Sequence, residues 1–227
     1  MGGSVALLGG TGRSGPGLAL RFALAGMRVH IGSRQAEKGE ATAAKVGAVA
    51  QRVGGDGVGE ITGHANAEAA ALASTVLITV PYEGQASLLP SVAEAVATKV
   101  VVCTVVPVRW DPHVGPVAVA VPEGSAAEQA AGLLPAARVA AGFHSLSSSI
   151  LGRVERGVDS DVVVLADDEE AKRVTMELAE LLPGVRAVDG GALRHAREAE
   201  ALTILLLSIN RANKAHVGVR ITDLRER

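Results

Sequence analysis

Three glycines stand at the turn between the first apolar run of the chain and the amphipathic stretch that follows it. They are Gly10, Gly12 and Gly15 in GGTGRSG, and their spacing is GxGxxG. In a turn from a strand to a helix, such glycines allow a tight bend, close approach of backbone to a pyrophosphate, and close packing of helix on strand. The N–H groups of the helix N-terminus and the Thr11 hydroxyl would bind the phosphates. The pattern predicts a dinucleotide site; the alternative is an ordinary glycine-rich turn.

The second apolar run ends in Ser33 and Arg34, where an NAD-binding chain usually has an acidic residue for the ribose 2′-hydroxyl. A carboxylate there would repel a 2′-phosphate, whereas a guanidinium can bind the phosphate through two hydrogen bonds. Ser33 adds a hydroxyl, and Lys38 adds a second positive charge about one helical turn further on. These residues predict NADP(H) as the ligand. The alternative role of Ser33 is to cap the helix that begins near Gln35.

One histidine, His144, follows the last strand of the predicted sheet in the stretch RVAAGFHSLSS. A lone histidine near a strand end is often only structural, but a ligand cleft should open at this point of the fold. We therefore predict that His144 contacts a ligand. The other histidines are interpreted as structural (His30, His195 and His216) or as lying in surface loops (His64 and His113).

The chain shows no arrangement of residues that predicts a catalytic side chain. We find no Ser/His/Asp combination, no Tyr-x-x-x-Lys pair and no His/Cys cluster for a metal. The acidic run at 167–170 is interpreted as carboxylates at the N-terminus of a helix rather than as a metal site. The chemistry is therefore expected to come from bound cofactors, with no resident metal.

Strand-like and helix-like patterns alternate through the first part of the chain. Apolar runs predict strands at 4–8, 28–31, 75–80, 100–105 and 138–141, and a weak short strand at 60–62. Amphipathic patterns predict helices at 14–25, 36–52, 83–97 and 125–134. Because the strands are continuously apolar, they are typical of parallel strands that are covered on both faces. The fold class is therefore α/β, with a Rossmann-type doubly wound parallel sheet.

The pattern changes near residue 145, where an aperiodic stretch separates the first part from a second set of elements. Strands are predicted at 161–165 and 185–188, and helices at 168–182 and 194–215. We expect an NADP-binding Rossmann domain at 1–144 and a small α/β C-terminal domain at 145–227 that closes the cleft. The long last helix is apolar over more than one face, which favours a homodimer that shares it.

Composition limits the classes of function. The chain has 227 residues, a net charge of −2 and only 2% aromatic residues, which argues against a nucleic-acid partner. Its apolar runs are too short for a membrane span. The single cysteine, Cys103, lies in an apolar run and permits no internal disulfide. We expect a cytoplasmic protein that acts on small molecules.

Beyond the glycine motif, the sequence resembles the NADPH-dependent deazaflavin reductases, which are coenzyme F420:NADP oxidoreductases. The resemblance is in VALLGGTGRSGPGLALRFALAG, IGSRQAEK, TVLITVPYE, VVVCTVVPV and FHSLSS, and in the tail EALTILLLSINRANKAHVGVRITDL. It implies hydride transfer between NADP(H) and the deazaflavin coenzyme F420, with the deazaflavin ring stacked against the nicotinamide. Tyr82 and the pair Ser147-Ser148 depart from the family pattern and leave the shape of the deazaflavin pocket open.

The same resemblance implies which residues bind each part of the two cofactors. The adenosine end of NADP would lie against Thr11, Gly12, Arg13, Ser14, Ser33, Arg34 and Lys38. The nicotinamide region would be lined by Val80, Pro81, Val106, Pro107 and Val108. The deazaflavin would contact His144, Ser145, Leu146 and Ser148, with Val217 nearby.

Three other functions remain open at this point. A flavin reductase could use the same scaffold with FMN or FAD. An imine, proline or 3-hydroxyacid reductase could use it too, although such enzymes usually have a larger helical C-terminal domain. A non-enzymatic NADP sensor would need the glycine turn and Arg34 but no second cofactor pocket.

Overall fold

The computed structural model describes residues 3–224 and shows one eight-stranded sheet with helices on both faces. The strands are β1 (Ser4–Leu8), β2 (Arg28–Ser33), β3 (Ile61–Ala65), β4 (Thr75–Ile78), β5 (Val100–Cys103), β6 (Val108–Asp111), β7 (Gly115–Ala118), β8 (Arg138–Ala141), β9 (Ser160–Ala166) and β10 (Val185–Asp189). The helices are α1 (Gly15–Leu24), α2 (Ala36–Gly54), α3 (Asn66–Leu72), α4 (Tyr82–Val92), α5 (Ala126–Leu133), α6 (Ser148–Leu151), α7 (Glu169–Glu180) and α8 (Ala196–Asn213). No helix among the described residues is long and apolar enough to cross a membrane.

The strand order in the large sheet is β10-β9-β8-β5-β4-β1-β2-β3. Six neighbouring strands of this sheet are parallel, in the spatial order β3-β2-β1-β4-β5-β8. This is the order of a Rossmann fold, so the predicted fold class is confirmed. The sheet is not parallel throughout, because β9 runs antiparallel to β8. Strands β9 and β10 thus continue the same sheet beyond residue 144, and the division into two domains stays a prediction.

The strands of the sheet centre are buried on both faces, as their continuous apolar runs predict. In β1, Val5 and Leu7 pack into the core that α1, α2, α6 and α7 share. Ala6 and Leu8 point to the opposite core, under α3, α4, α5 and α8. Alternate residues of one strand therefore join the two helical layers to the sheet.

Four elements were not predicted from the sequence: helix α3, strands β6 and β7, and the one-turn helix α6 in the aperiodic stretch. Helix α3 follows β3 directly, and strands β6 and β7 form a separate antiparallel hairpin that extends from the end of β5. Helix α3 has only seven residues, which is too short for an apolar period to stand out. Each hairpin strand has four residues, and Pro116 interrupts the alternation expected of a strand.

Candidate functional site

A large cleft with a volume of about 760 Å³ opens at the carboxyl ends of the parallel strands. Its floor is formed by residues just after β4 and β5, including Thr79 and Thr104. Their hydroxyls donate to backbone oxygens of the neighbouring strands, Thr79 to Leu8 and Thr104 to Ile78, each at 2.8 Å. These bonds hold the ends of β1, β4 and β5 together. Open α/β sheets bind their ligands at this edge.

The glycine turn forms one wall of the cleft. Gly9 has a φ of +72°, and a Cβ there would lie 2.3 Å from the Val80 side chain, so this position requires glycine. A Cβ on Gly15 would lie 2.1 Å from the Gly10 carbonyl oxygen, because α1 begins directly against the turn. The third glycine thus has the packing role that the sequence predicts. The positive φ falls at Gly9, one residue before the predicted motif.

A side chain that sequence analysis missed fixes the start of this turn. Asn66, at the N-terminus of α3, is buried, and its Oδ1 accepts the Gly9 N–H at 3.0 Å. The turn is also tied to β2, because the Gly10 N–H donates to the Gly32 carbonyl at 2.9 Å. The glycine turn and the end of β2 therefore lie side by side, as a dinucleotide site requires.

The predicted phosphate-binding residues lie at the end of β2 and just after it. Ser33 is buried, and its Oγ accepts the Gln35 N–H at 3.4 Å, while Arg34 and Lys38 are exposed. Gln35 is the cap residue of α2, so Ser33 does not cap that helix. The alternative role for Ser33 is therefore wrong. The exposed cations Arg34 and Lys38 are available to an anionic ligand beside the glycine turn.

The cleft brings most of the predicted residues together. Those that line it are Gly12, Arg13, Ser14, Val80, Pro81, Val106, Val108, His144, Ser145, Leu146, Ser148 and Val217. The predicted residues outside its lining are Gly10, Thr11, Gly15, Ser33, Arg34, Lys38 and Pro107. Gly10, Gly15 and Pro107 are buried, whereas Thr11 is exposed at the turn. The predicted ligand contacts of all these residues stay predictions.

His144 lies in the cleft wall and is unusual in its hydrogen bonding. Among the described residues, its Nε2 is the one buried side-chain nitrogen or oxygen without a hydrogen-bond partner. Burial lowers the pKa of His144 to about 4, so the imidazole is neutral at neutral pH. An unpaired buried polar atom destabilises a protein unless something binds it. The position therefore suits a ligand that hydrogen-bonds to Nε2.

Two of the other interpretations of histidines are wrong. His216 lines the cleft and is exposed, so it is not a buried structural group. His64 lies in β3 rather than in a surface loop, because its neighbours continue the strand pairing with β2. Its ring nitrogens contact the Thr62 hydroxyl at 2.8 Å and the Glu68 carboxylate at 3.1 Å.

Comparison with known proteins identifies the family. Residues 4–107 match the family model of coenzyme F420-dependent NADP oxidoreductases. An F420-dependent NADP reductase from Methanothermobacter thermautotrophicus (strain Delta H) is 44% identical over 228 residues, which cover 98% of this chain and 96% of that protein. The chain belongs to the F420-dependent NADP reductase family.

One solved structure agrees with this family assignment, and a second shows the same fold. A proposed F420-dependent NADP reductase from Arthrobacter sp. FB24 superposes with a TM-score of 0.78 at 26% identity, over 97% of this chain and 99% of that one. Imine reductase BcSIRED from Bacillus cereus BAG3X2 gives a TM-score of 0.63 at 20% identity. That match covers 94% of this chain but only 63% of the imine reductase, and it shows the fold alone.

For this member of the F420-dependent NADP reductase family, helix α8 forms a cleft wall that sequence analysis missed. Its cleft-lining residues are Thr203, Leu206, Leu207, Asn210 and Arg211, followed by Lys214 just beyond the helix. They recur three and four residues apart and therefore share one helix face. That spacing was the signal in the sequence. Among residues 3–224, the cleft lining includes Arg13, Arg211 and Lys214 but no Asp or Glu, which favours anionic ligands.

The aromatic side chain in the cleft mouth was also missed. Trp110 lies on β6, lines the cleft, and is 60% exposed. The hairpin that bears Trp110 is held to α8, because Arg211 Nη2 donates to the His113 carbonyl at 3.1 Å. By contrast, Phe22 and Phe143 are buried and pack edge to face. Trp110 is therefore the exposed aromatic side chain among the residues described as lining the cleft.

Proposed function

We propose that this protein transfers a hydride between NADP(H) and coenzyme F420 within the cleft. One observation supports this most directly: the glycine turn, the loop that contains His144 and the segment that contains Val217 all line one cavity. We call that last segment, residues 214–224 after α8, the tail. Some of the residues predicted for each of the two cofactors therefore face one shared space. Hydride transfer needs two ring systems in contact, and a shared cleft provides that proximity.

On the NADP side, the proposed contacts follow the end of the sheet. The first turn of α1 offers N–H groups without helical partners to the pyrophosphate. Arg34 and Lys38, both exposed, would bind the 2′-phosphate, and Ser33 would support them from the end of β2. Val80 and Val106, just past the ends of β4 and β5, would line the nicotinamide region.

The nicotinamide and deazaflavin rings would supply the chemistry of hydride transfer. The protein would orient the rings, exclude water and supply charge. Val80, Val106 and Leu146 provide apolar cleft walls that exclude water. His144, neutral and unpaired at Nε2, would donate or accept one hydrogen bond to the deazaflavin. Because a hydride moves directly between the rings, no proton has to leave His144, and we assign it no acid–base role.

A cofactor panel tests this proposal. In separate reactions, the protein and NADPH are mixed with F420, FMN, FAD or a cyclic imine. The absorbance of NADPH and the visible absorbance of each coloured acceptor are followed. We expect rapid bleaching of F420 and little or none of FMN and FAD. Bleaching of a flavin alone would favour a flavin reductase. NADPH binding without oxidation in any reaction, including one with a cyclic imine, would favour an NADP sensor.

We further propose a cytoplasmic homodimer. Helix α8 buries Ala196, Thr203 and Leu206, yet Leu205 on another face is 56% exposed. An apolar side chain in that position supports a contact with a second copy. The lone buried cysteine supports a reducing compartment. Light scattering at micromolar concentration is expected to give the mass of a dimer, and a monomer mass would exclude it.

A further inference from the structure

One buried carboxylate lies where the sheet reaches the cleft. Asp161 is the second residue of β9, and its side chain is fully buried. Strand β9 runs antiparallel to β8, and the residues of β9 that pair with β8 are its last two, Leu165 and Ala166. The start of β9 therefore extends past the carboxyl end of β8, and Asp161 lies at a free edge beside the cleft wall.

The tail that follows α8 pairs with this edge. The Asp161 N–H donates to the Val219 carbonyl at 2.7 Å, and the Val219 N–H donates to Ser160 Oγ at 3.2 Å. Gly218 permits this approach, since a Cβ there would lie 2.8 Å from Ser160 Oγ. Upstream, the Val217 N–H donates to Asn210 Oδ1 at 2.7 Å. The segment that contains the cleft-lining Val217 is thus fixed at both ends.

The carboxylate of Asp161 fastens the tail. Arg186 of β10 donates to both of its oxygens, at 3.0 and 2.6 Å, and Arg220 of the tail donates at 2.8 Å. The Ile221 N–H donates to Oδ2 at 2.7 Å. Burial alone would raise the pKa of Asp161, but these hydrogen bonds lower it to about 2. The group is therefore charged at neutral pH and fully paired.

Asp161 also contacts the opposite wall through its backbone. The Ser145 hydroxyl, next to His144, donates to the Asp161 carbonyl at 3.1 Å. One residue therefore joins the His144–Ser145 loop and the Val217 tail, which are the two cleft walls predicted for the deazaflavin. None of these hydrogen bonds of Asp161 reaches the glycine turn or the end of β2.

We propose that Asp161 is a positioning residue for the deazaflavin side of the cleft. Its ion pairs with Arg186 and Arg220 hold the tail in place, so that Val217 and the His144 loop keep the spacing that the ring requires. The inference rests on the proposed function, because it assumes that F420 occupies this side. It assigns Asp161 no contact with a cofactor and no effect on NADP binding.

Asp161→Asn tests the proposal, with Asp159→Asn as a matched control. Asp159 also pairs with Arg220, at 2.7 Å, but its side chain is 83% exposed, and among residues 3–224 no backbone N–H of the tail donates to its carboxylate. Three quantities are measured for each variant: amide hydrogen exchange in the tail, the Kd values for F420 and NADPH, and steady-state kcat and KM. In Asp161→Asn we expect tail exchange and the F420 Kd to rise about tenfold or more. The NADPH Kd and the saturated kcat should stay within about threefold, and Asp159→Asn should resemble the native protein.

Several results would overturn the proposal. Tail exchange unchanged in Asp161→Asn would mean that the carboxylate does not hold the tail, and equal weakening of both cofactors would mean a general structural role. If Asp161→Asn does not fold, Arg220→Met is tested in its place, because Arg186 still neutralises Asp161 in that variant. Arg220→Met should increase exchange in the tail and weaken the binding of F420 but not of NADPH. If the native protein does not bind F420, the proposed function fails, whereas the exchange comparison still decides whether Asp161 fastens the tail.

Discussion

Replacing His144 by leucine removes the unpaired buried nitrogen at a small change in side-chain volume. A buried polar group without a partner costs about 1–3 kcal/mol, so the leucine variant should be at least as stable as the native chain at pH 7. It should also bind F420 more weakly, because Nε2 would no longer meet the ligand. His144→Gln is the control, since glutamine keeps a hydrogen-bonding group but does not titrate.

The size of the effect of His144 on stability follows from the pH dependence of the free energy of unfolding. Burial lowers the pKa of His144 to about 4 from 6.5, so between these values the unfolded chain binds a proton that the native protein does not. Native stability therefore falls as the pH drops below 6.5, by about 1 kcal/mol at pH 5.5 and on the order of 3 kcal/mol below pH 4. The leucine and glutamine variants both lack this titration. They should gain stability relative to the native chain by these amounts.

Urea unfolding of the three proteins at pH 7 and pH 5.5 measures this difference, and titration with F420 measures the binding. In single-turnover reactions at saturating F420, the rate of hydride transfer in the leucine variant should fall by less than the roughly 10²–10⁴-fold that is typical of a missing general acid or base. The same pH dependence in all three proteins would refute the buried, neutral state of His144. Unchanged F420 affinity in the leucine variant would refute its contact with the ligand.

Two further substitutions separate the ends of the cleft. Arg34→Ala should weaken NADPH about 10- to 100-fold and leave NADH almost unchanged, because the guanidinium would meet only the 2′-phosphate. Isothermal titration measures both, and equal weakening would show that Arg34 is structural. Trp110→Ala should weaken F420 about 3- to 10-fold without affecting NADPH, and Trp110→Phe should restore most of the loss, since either ring can cover a flat ligand. Native F420 affinity in the alanine variant would exclude that contact.

The centre of the sheet was predictable because its signals are local. Strand β1 begins and ends where its apolar run does, at Ser4 and Leu8, and alternate residues reach two cores. The helix cap at Asp168 was predictable in the same way: its carboxylate accepts the Ala171 N–H at 2.8 Å, as an acidic N-terminus implies. Each of these features depends on neighbours within a few residues.

The unpredicted features depend on partners far along the chain. Gly9 cannot carry a side chain because Val80 lies against it, and Asn66 fixes the turn from a helix that sequence analysis missed. Asp161 meets Arg186 and Arg220, which are 25 and 59 residues away. Such pairings follow from the strand order and from the antiparallel β9, which no local pattern specifies.

The central claim is that a hydride passes directly from one cofactor to the other within this cleft. The most direct measurement uses NADPH labelled with deuterium at the transferred C4 position, mixed with oxidised F420 in ordinary water, followed by mass spectrometry of the reduced deazaflavin. Direct transfer predicts that the deuterium appears at C5 of the deazaflavin and that the single-turnover rate shows a primary isotope effect. Unlabelled reduced F420, with the deuterium lost to solvent, would contradict the account.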